Sequence, residues 1–170
     1  MKELFNVPEY IKAIQERLIK NEYECYLVGG CVRDTLLGLD VKDYDLTTNC
    51  DSSTLKSIFD DYNIINNNGE KHNTITLHID DENVEITSYK HNADEENSID
   101  NDLMHRDLTI NAMAYSDRIV DLVGGYDDLK NKIIRAPGNP VDRIKEDPLR
   151  ILRALRFSSR LGFEIEEETS

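Results

Sequence analysis

Two aspartates separated by a single residue, Asp43 and Asp45, follow closely on a pair of adjacent glycines, Gly29 and Gly30, and an arginine, Arg33. Carboxylates are hard oxygen donors. On an extended strand, residues two apart share a face and lie about 6–7 Å from one another along the backbone. That is ligand placement for a pair of hard cations such as Mg²⁺. The glycines suit a different task. They close an apolar run, Cys25 to Val28, and let the backbone turn sharply and approach a ligand closely. A helix opening at this point presents free N–H groups and partial positive charge, which favour phosphate. No lysine of a Walker-type loop is present, and an Asp-x-Asp is unspecific in a chain with 34 acidic residues.

Two further clusters carry chemistry. His105-Arg106-Asp107-Leu108-Thr109-Ile110-Asn111 approaches the kinase catalytic loop HRDLxxxN. Its asparagine comes one residue too early, however, and no GxGxxG, VAIK-like or DFG segment accompanies it, so a kinase is excluded. Taken alone, the segment reads as an Asp107 helix cap beside a surface Arg106. Farther on, Glu146-Asp147-Pro148-Leu149-Arg150 reads as an ordinary capped helix start with proline in the first turn. Arg150, Arg153, Arg156 and Arg160 then recur at spacings of 3, 3 and 4, which places them on one helical face. In a chain of net charge −14 such a stripe suits a polyanion, either a triphosphate or an RNA backbone; a salt-bridged exposed face is the alternative. Glu85 is a third carboxylate to set beside Asp43 and Asp45 if its side chain faces inward, although alternation along its strand leans toward solvent.

The elements that must hold these groups follow from periodicity. Pro8 to Glu22 reads as an amphipathic helix with Ile11, Ile14 and Leu18, and Ile19 beside them, on one face. The strand from Cys25, the glycine turn and a short helix come next, then a strand carrying Asp43 and Asp45 through Thr47. Asp51-Ser52-Ser53 caps a short helix ending near Phe59. Thr74–Ile79 and Val84–Tyr89 alternate as strands around the turn at 80–83. Residues 91–102 read as a polar, acidic loop, and Asp107 to Tyr115 as a helix. Ile119–Leu122 is a short strand, Tyr126–Lys132 a short helix, and a long helix runs from Asp147 to Leu161 with Gly162 ending it. The residues after it read as an interrupted helix.

Composition narrows the class. A hydrophobic share of 39% supports a core, and no run of about 18 apolar residues suggests a membrane span. Three cysteines without a CxxC pair are read as reduced thiols in a cytoplasmic protein, with Cys25 in the core. Negative charge concentrates in residues 80–102 and arginine in 143–160, so local charge decides which anions can bind.

Taken in order, Leu27-Val28-Gly29-Gly30-Cys31-Val32-Arg33-Asp34, Asp43-Tyr44-Asp45, Arg106-Asp107-Leu108-Thr109-Ile110-Asn111-Ala112 and Glu146-Asp147-x-x-Arg150 resemble the motifs of the class II tRNA nucleotidyltransferase and bacterial poly(A) polymerase superfamily. The resemblance runs from Cys25 to about Thr169. It implies an α+β fold: a polymerase-β-like nucleotidyltransferase head with a mixed, mostly antiparallel sheet and flanking helices, followed by the start of a helical neck. The head is expected over residues 1–138 and the neck over 139–170, the chain reading as a fragment or a short member. The implied activity is template-independent addition of C and/or A nucleotides to the 3′ end of tRNA from CTP or ATP, with release of pyrophosphate. Asp43 and Asp45 are then the catalytic residues and the Mg²⁺ ligands, with Glu85 as a possible third ligand. Gly29, Gly30, Arg33, Arg106, Asp107, Asp147, Arg150, Arg153 and Arg156 are the nucleotide-binding residues. tRNA, CTP and ATP are the expected partners; neither a membrane nor a particular oligomeric state is implied.

Base choice follows chemically from the assignment of Asp147 and Arg150. Cytosine offers an amino donor beside a ring acceptor, and so does adenine; uracil and guanine present the opposite order. A carboxylate and a guanidinium therefore complement the first two bases and leave groups unpaired on the others. Two departures from the family pattern stand out. His105 occupies the place of an arginine, and the segment from Lys90 to His105 is short and lacks an Arg-Arg-Pro, which in the family accompanies CC-only addition. Poly(A) synthesis shares the same motifs, and a non-catalytic nucleotide- or RNA-binding module is the alternative from another class.

Overall fold

The computed structural model describes residues 5–65, 73–138, 156 and 158–165. Helix α1, Glu9–Lys20, buries Ile11, Ile14 and Leu18, one face of a 3.6-residue period, and leaves Ile19 exposed. Strand β1, Cys25–Val28, passes through the glycine turn into helix α2, Gly30–Leu36, and returns as β2, Tyr44–Thr48. Helix α3, Ser52–Ile58, begins where the Asp51 carboxylate accepts the Thr54 N–H at 2.7 Å, the cap expected from sequence. Strand β3, Asn63–Ile65, was not expected. Strands β4, Thr74–Ile79, and β5, Glu82–Ser88, form a hairpin whose Asp80 takes a left-handed φ of 53°, a conformation aspartate tolerates.

Helix α4, Ile99–Met104, strands β6, Met113–Tyr115, and β7, Ile119–Asp121, helix α5, Gly125–Asn131, and the short strands β8, Ile133–Ile134, and β9, Glu164–Ile165, complete the described elements. The main sheet has the order β3-β4-β5-β2-β1-β6-β7. Within it β2 and β5 run parallel and the other neighbours antiparallel, so the expected mixed, mostly antiparallel sheet is present. Leu27, Leu46, Ile75, Leu77 and Ile86 from its centre pack with Ile11, Ile14, Leu55 and Phe59 of the helical layer. No helix among the described residues is long and apolar enough to cross a membrane.

Four local expectations change. Residues 107–115 do not form a helix: a single 3-10 turn, Thr109–Asn111, leads into β6, where Ala114 and Tyr115 pair with Val28 and Leu27. Every residue of β6 is buried, so its apolar run carries no period by which to distinguish strand from helix. The 91–102 loop is shorter than expected, because Ser98 caps α4 and Ile99 and Leu103, one turn apart, bury against Val28, Tyr89 and Ala114. The chain after Gly162 is strand rather than helix, since Glu164–Ile165 pairs parallel with Ile133–Ile134. Asp43 immediately precedes β2 instead of lying in it. Of the long helix expected from Asp147, residues 147–155 lie outside the described residues; Arg156 and 158–161 are helical, and Gly162 follows with a φ of 68°.

Candidate active site

The site is built on the end of β1. After Val28 the chain turns at Gly29, whose φ of 76° and ψ of −135° are open in practice only to glycine. Gly30 then starts α2. A β-carbon at Gly30 would stand 3.2 Å from Nη2 of Arg33, and one at Gly29 would stand 3.9 Å from Nη1 of Arg106. Two guanidinium groups from distant parts of the chain thus converge on the glycine turn.

Each arginine is held from behind. Arg33 is buried; its Nη1 donates to Oδ1 of Asn111 at 2.7 Å, and its Nε donates to Oδ1 of Asp34 at 3.0 Å. Nη2 of Arg106 donates to Oδ2 of Asp102 at 3.0 Å. The Nε of Arg106 is buried without a hydrogen-bond partner among the described residues. A buried charged donor left unmade is costly; Nη1 of the same guanidinium, beside Gly29, is the nitrogen placed to meet an anionic oxygen brought to the turn.

The carboxylates stand beside this turn. Asp45 pairs with Val28 on one side, one residue from Gly29, and with Glu85 of β5 on the other. Burial first, then the negative charges of Glu85 and Asp43, push the Asp45 carboxyl up to about 6, while Arg106 pulls the other way. Asp43 is exposed just ahead of β2. Glu85 is exposed, as alternation suggested, yet its register places it next to Asp45.

A carboxylate whose proton affinity is raised by neighbouring negative charge, as that of Asp45 is, will also favour a cation, and its oxygens suit a hard one. Among the described residues no three histidine, cysteine or acidic side chains form a closed metal cage. Mg²⁺ does not need one, since it is commonly held by one or two carboxylates together with substrate phosphates. The donor set therefore fits a divalent ion that arrives with, or is completed by, a phosphorylated ligand.

The other expected site residues divide. Asp107 makes a local bond, its Oδ1 accepting the Leu108 N–H at 2.9 Å. Arg156 is helical and exposed, and Asp147, Arg150 and Arg153 lie outside the described residues. Asn111 and Asp102, which hold the two arginines, were not singled out from sequence. Asp102 had a legible signal, an acid one helical turn before a base; Asn111 lies within the motif that begins at Arg106, but its partner, 78 positions away, had no local signal. The three cysteines are buried free thiols; burial pushes Cys25 up to about 12 and, with neighbouring negative charge, Cys31 and Cys50 to about 11, so they are unreactive.

The chain is similar to proteins of known activity. It is 39% identical over 180 residues to the CCA-adding enzyme of Ligilactobacillus salivarius, a match covering 96% of this chain and 44% of that protein. It is 40% identical over 166 residues to the human mitochondrial CCA tRNA nucleotidyltransferase 1, covering 90% of this chain and 38% of that one. Among solved structures, the Bacillus stearothermophilus CCA-adding enzyme in complex with CTP superposes with a TM-score of 0.85 at 34% identity, over 96% of this chain and 42% of that chain. A tRNA nucleotidyltransferase complexed with a primer tRNA and an incoming ATP analogue superposes with a TM-score of 0.76 at 34% identity, over 92% and 47% of the two chains. The chain spans less than half the length of these relatives. The polymerase-β-like head expected from the motifs is the fold observed. The model of the poly A polymerase head domain matches residues 25–135, from the first residue of β1 past both arginines and all three carboxylates, and the chain belongs to that family.

Proposed function

We propose that the protein is a template-independent RNA nucleotidyltransferase that adds C and A nucleotides to the 3′ end of tRNA from CTP and ATP, releasing pyrophosphate. The convergence of Arg33 and Arg106 on the Gly29–Gly30 turn, directly beside Asp45, carries this reading. A triphosphate needs positive donors and a backbone it can approach closely, and nucleotidyl transfer needs carboxylates within reach of the same phosphates. Pure binding gains nothing from bare carboxylates placed there.

Asp43 and Asp45 are the residues that would hold Mg²⁺, with Glu85 at their side. Bound there, divalent ions would lower the pKa of the attacking 3′-hydroxyl and offset charge on the departing pyrophosphate. Arg33 and Arg106 orient the triphosphate, with Gly29 and Gly30 giving it access to the backbone. Asp107, Arg153 and Arg156 add contacts to the nucleotide, and Asp147 and Arg150 read the base edge. Residues 1–138 form the head, and 139–170 begin a helical neck. The setting is cytoplasmic.

The shortness of the segment between β5 and α4 favours a narrower variant of the same activity, addition of CC alone. One experiment addresses both. The full-length protein is incubated with Mg²⁺, a tRNA lacking its 3′ end, and labelled CTP or ATP. Incorporation that disappears in Asp43→Ala supports the enzyme; no incorporation, or the same incorporation in Asp43→Ala, refutes it. Incorporation of C without a following A assigns the CC-adding variant.

A further inference from the structure

Asp102 is fully buried, and both of its carboxylate oxygens are engaged. Oδ1 accepts the backbone N–H of Lys90 at 2.7 Å, and Oδ2 accepts Nη2 of Arg106 at 3.0 Å. An ion pair with one partner fully buried and the other, Arg106, partly so is an inefficient way to stabilise a fold, because desolvation largely cancels the attraction. An apolar pair would serve packing as well. The location of the pair points to a different task.

Helix α4 is fastened to the end of β1 by Ile99 and Leu103, which pack with Val28 and Ala114. The helix that carries Asp102 is therefore packed against Val28, the residue that immediately precedes the glycine turn. Arg106 lies beyond the end of α4, on irregular backbone, where its long side chain has many rotamers available. The bond to Asp102 occupies Nη2 and leaves Nη1 beside Gly29, with Nε buried and unpartnered. The same carboxylate anchors Lys90, near the start of the segment that joins β5 to α4.

We propose that Asp102 is a positioning residue, holding the Arg106 guanidinium in the orientation that receives the nucleoside triphosphate at the Gly29–Gly30 turn and tying that orientation to the start of the segment after Lys90. This rests on the triphosphate reading of the site. The sign of the effect is informative. Removing a negative charge behind Arg106 would by itself strengthen anion binding; loss of orientation weakens it, and the proposal requires the second to win.

The test is a double-mutant cycle in the full-length protein, reading the dissociation constants of CTP and ATP by calorimetry with Ca²⁺ in place of Mg²⁺, and the thermal midpoint of each variant. Arg106→Ala is expected to weaken binding about tenfold or more, as for loss of a charge-assisted bond. Asp102→Asn, which keeps the shape, is expected to weaken it about fivefold alone and by less than about twofold in the Arg106→Ala background, since the residue acts only through Arg106. Unchanged or tighter binding in Asp102→Asn, or equal losses in both backgrounds, overturns the proposal while leaving the site reading intact. Failure of the wild type to bind either nucleotide, or no effect of Arg106→Ala, removes the site reading itself. Should Asp102→Asn fail to fold, Arg106→Lys decides: the charge remains but the fork that spans Asp102 and the turn is lost. Binding as weak as in Arg106→Ala supports the proposal, and wild-type binding refutes it.

Discussion

Glu85 stands directly opposite Asp45 across the β2–β5 ladder, the one parallel pairing among the described strands of the main sheet. The register makes Glu85 a neighbour of the carboxylate pair without burying it. Its negative charge is felt at Asp45 more strongly than that of Asp43, which is far closer in sequence.

If Glu85 adds to the cation site, Glu85→Gln weakens Mn²⁺ binding in the presence of CTP by about tenfold, in the range seen when groups supporting a metal ligand are removed. Asp45→Asn weakens it by a much larger factor. Electron paramagnetic titration of free Mn²⁺ measures both. A Glu85→Gln protein with wild-type affinity would take Glu85 out of the metal role and leave it as an electrostatic neighbour.

The raised proton affinity of Asp45 has a signed consequence for stability. Its folded value of about 6 lies above the ordinary carboxylate value, so the folded state binds the proton more tightly than the unfolded chain. The corresponding stabilisation is complete below about pH 4 and is lost as pH rises through about 6; for a shift of this size it is at most about 2–3 kcal/mol. In EDTA, Asp45→Asn therefore unfolds at higher urea than wild type at pH 8, and the difference shrinks toward pH 4. Identical pH profiles for the two proteins would contradict the crowding of carboxylates described above.

The two glycines of the turn should fail differently. Gly29→Ala forces an L-residue to a φ of 76° and costs about 1–2 kcal/mol of stability. Gly30→Ala meets only the Arg33 guanidinium, but Arg33 is buried and bonded to Asn111, so the group cannot simply swing away. Its effect appears mainly as a higher KM for CTP, with a smaller loss of stability. Urea denaturation beside steady-state kinetics separates the two.

Asp147→Ala and Arg150→Ala are expected to relax base choice, admitting UTP or GTP by about tenfold or more relative to wild type, as expected when the groups that penalise the wrong base edge are gone. The thermal midpoint should move little. Incorporation of all four nucleotides beside a melting curve tests this; parallel losses of stability and of activity in both variants would assign the two residues to a helix cap instead.

The parts legible in the sequence were those with local causes. The helical period of Ile11, Ile14 and Leu18, the Asp51 cap, the hairpin around Asp80 and the strand–glycine–helix turn each depend on neighbours within a few residues. Where local chemistry was ambiguous, sequence reading went astray. The run from Leu108 to Met113 is apolar with no clear period, and only the ladder from Val28 and Leu27 to β6 makes its end a strand. Helix α4 was hidden in a polar stretch because a short helix needs only Ile99 and Leu103 to bury a face.

The sequence by itself therefore supplied the candidates, namely the carboxylates Asp43, Asp45 and Glu85, the glycines Gly29 and Gly30 and the arginines, and the order in which they occur, but not Asp102 or Asn111. The tertiary structure alone decided who stands beside whom. Glu85 reaches Asp45 through a parallel register, and Asn111 grips Arg33 from 78 positions away. Such pairings are set by strand order and by the packing of one apolar face on another. Those are sums over the whole core, and a short stretch of residues carries too little of that sum to specify them.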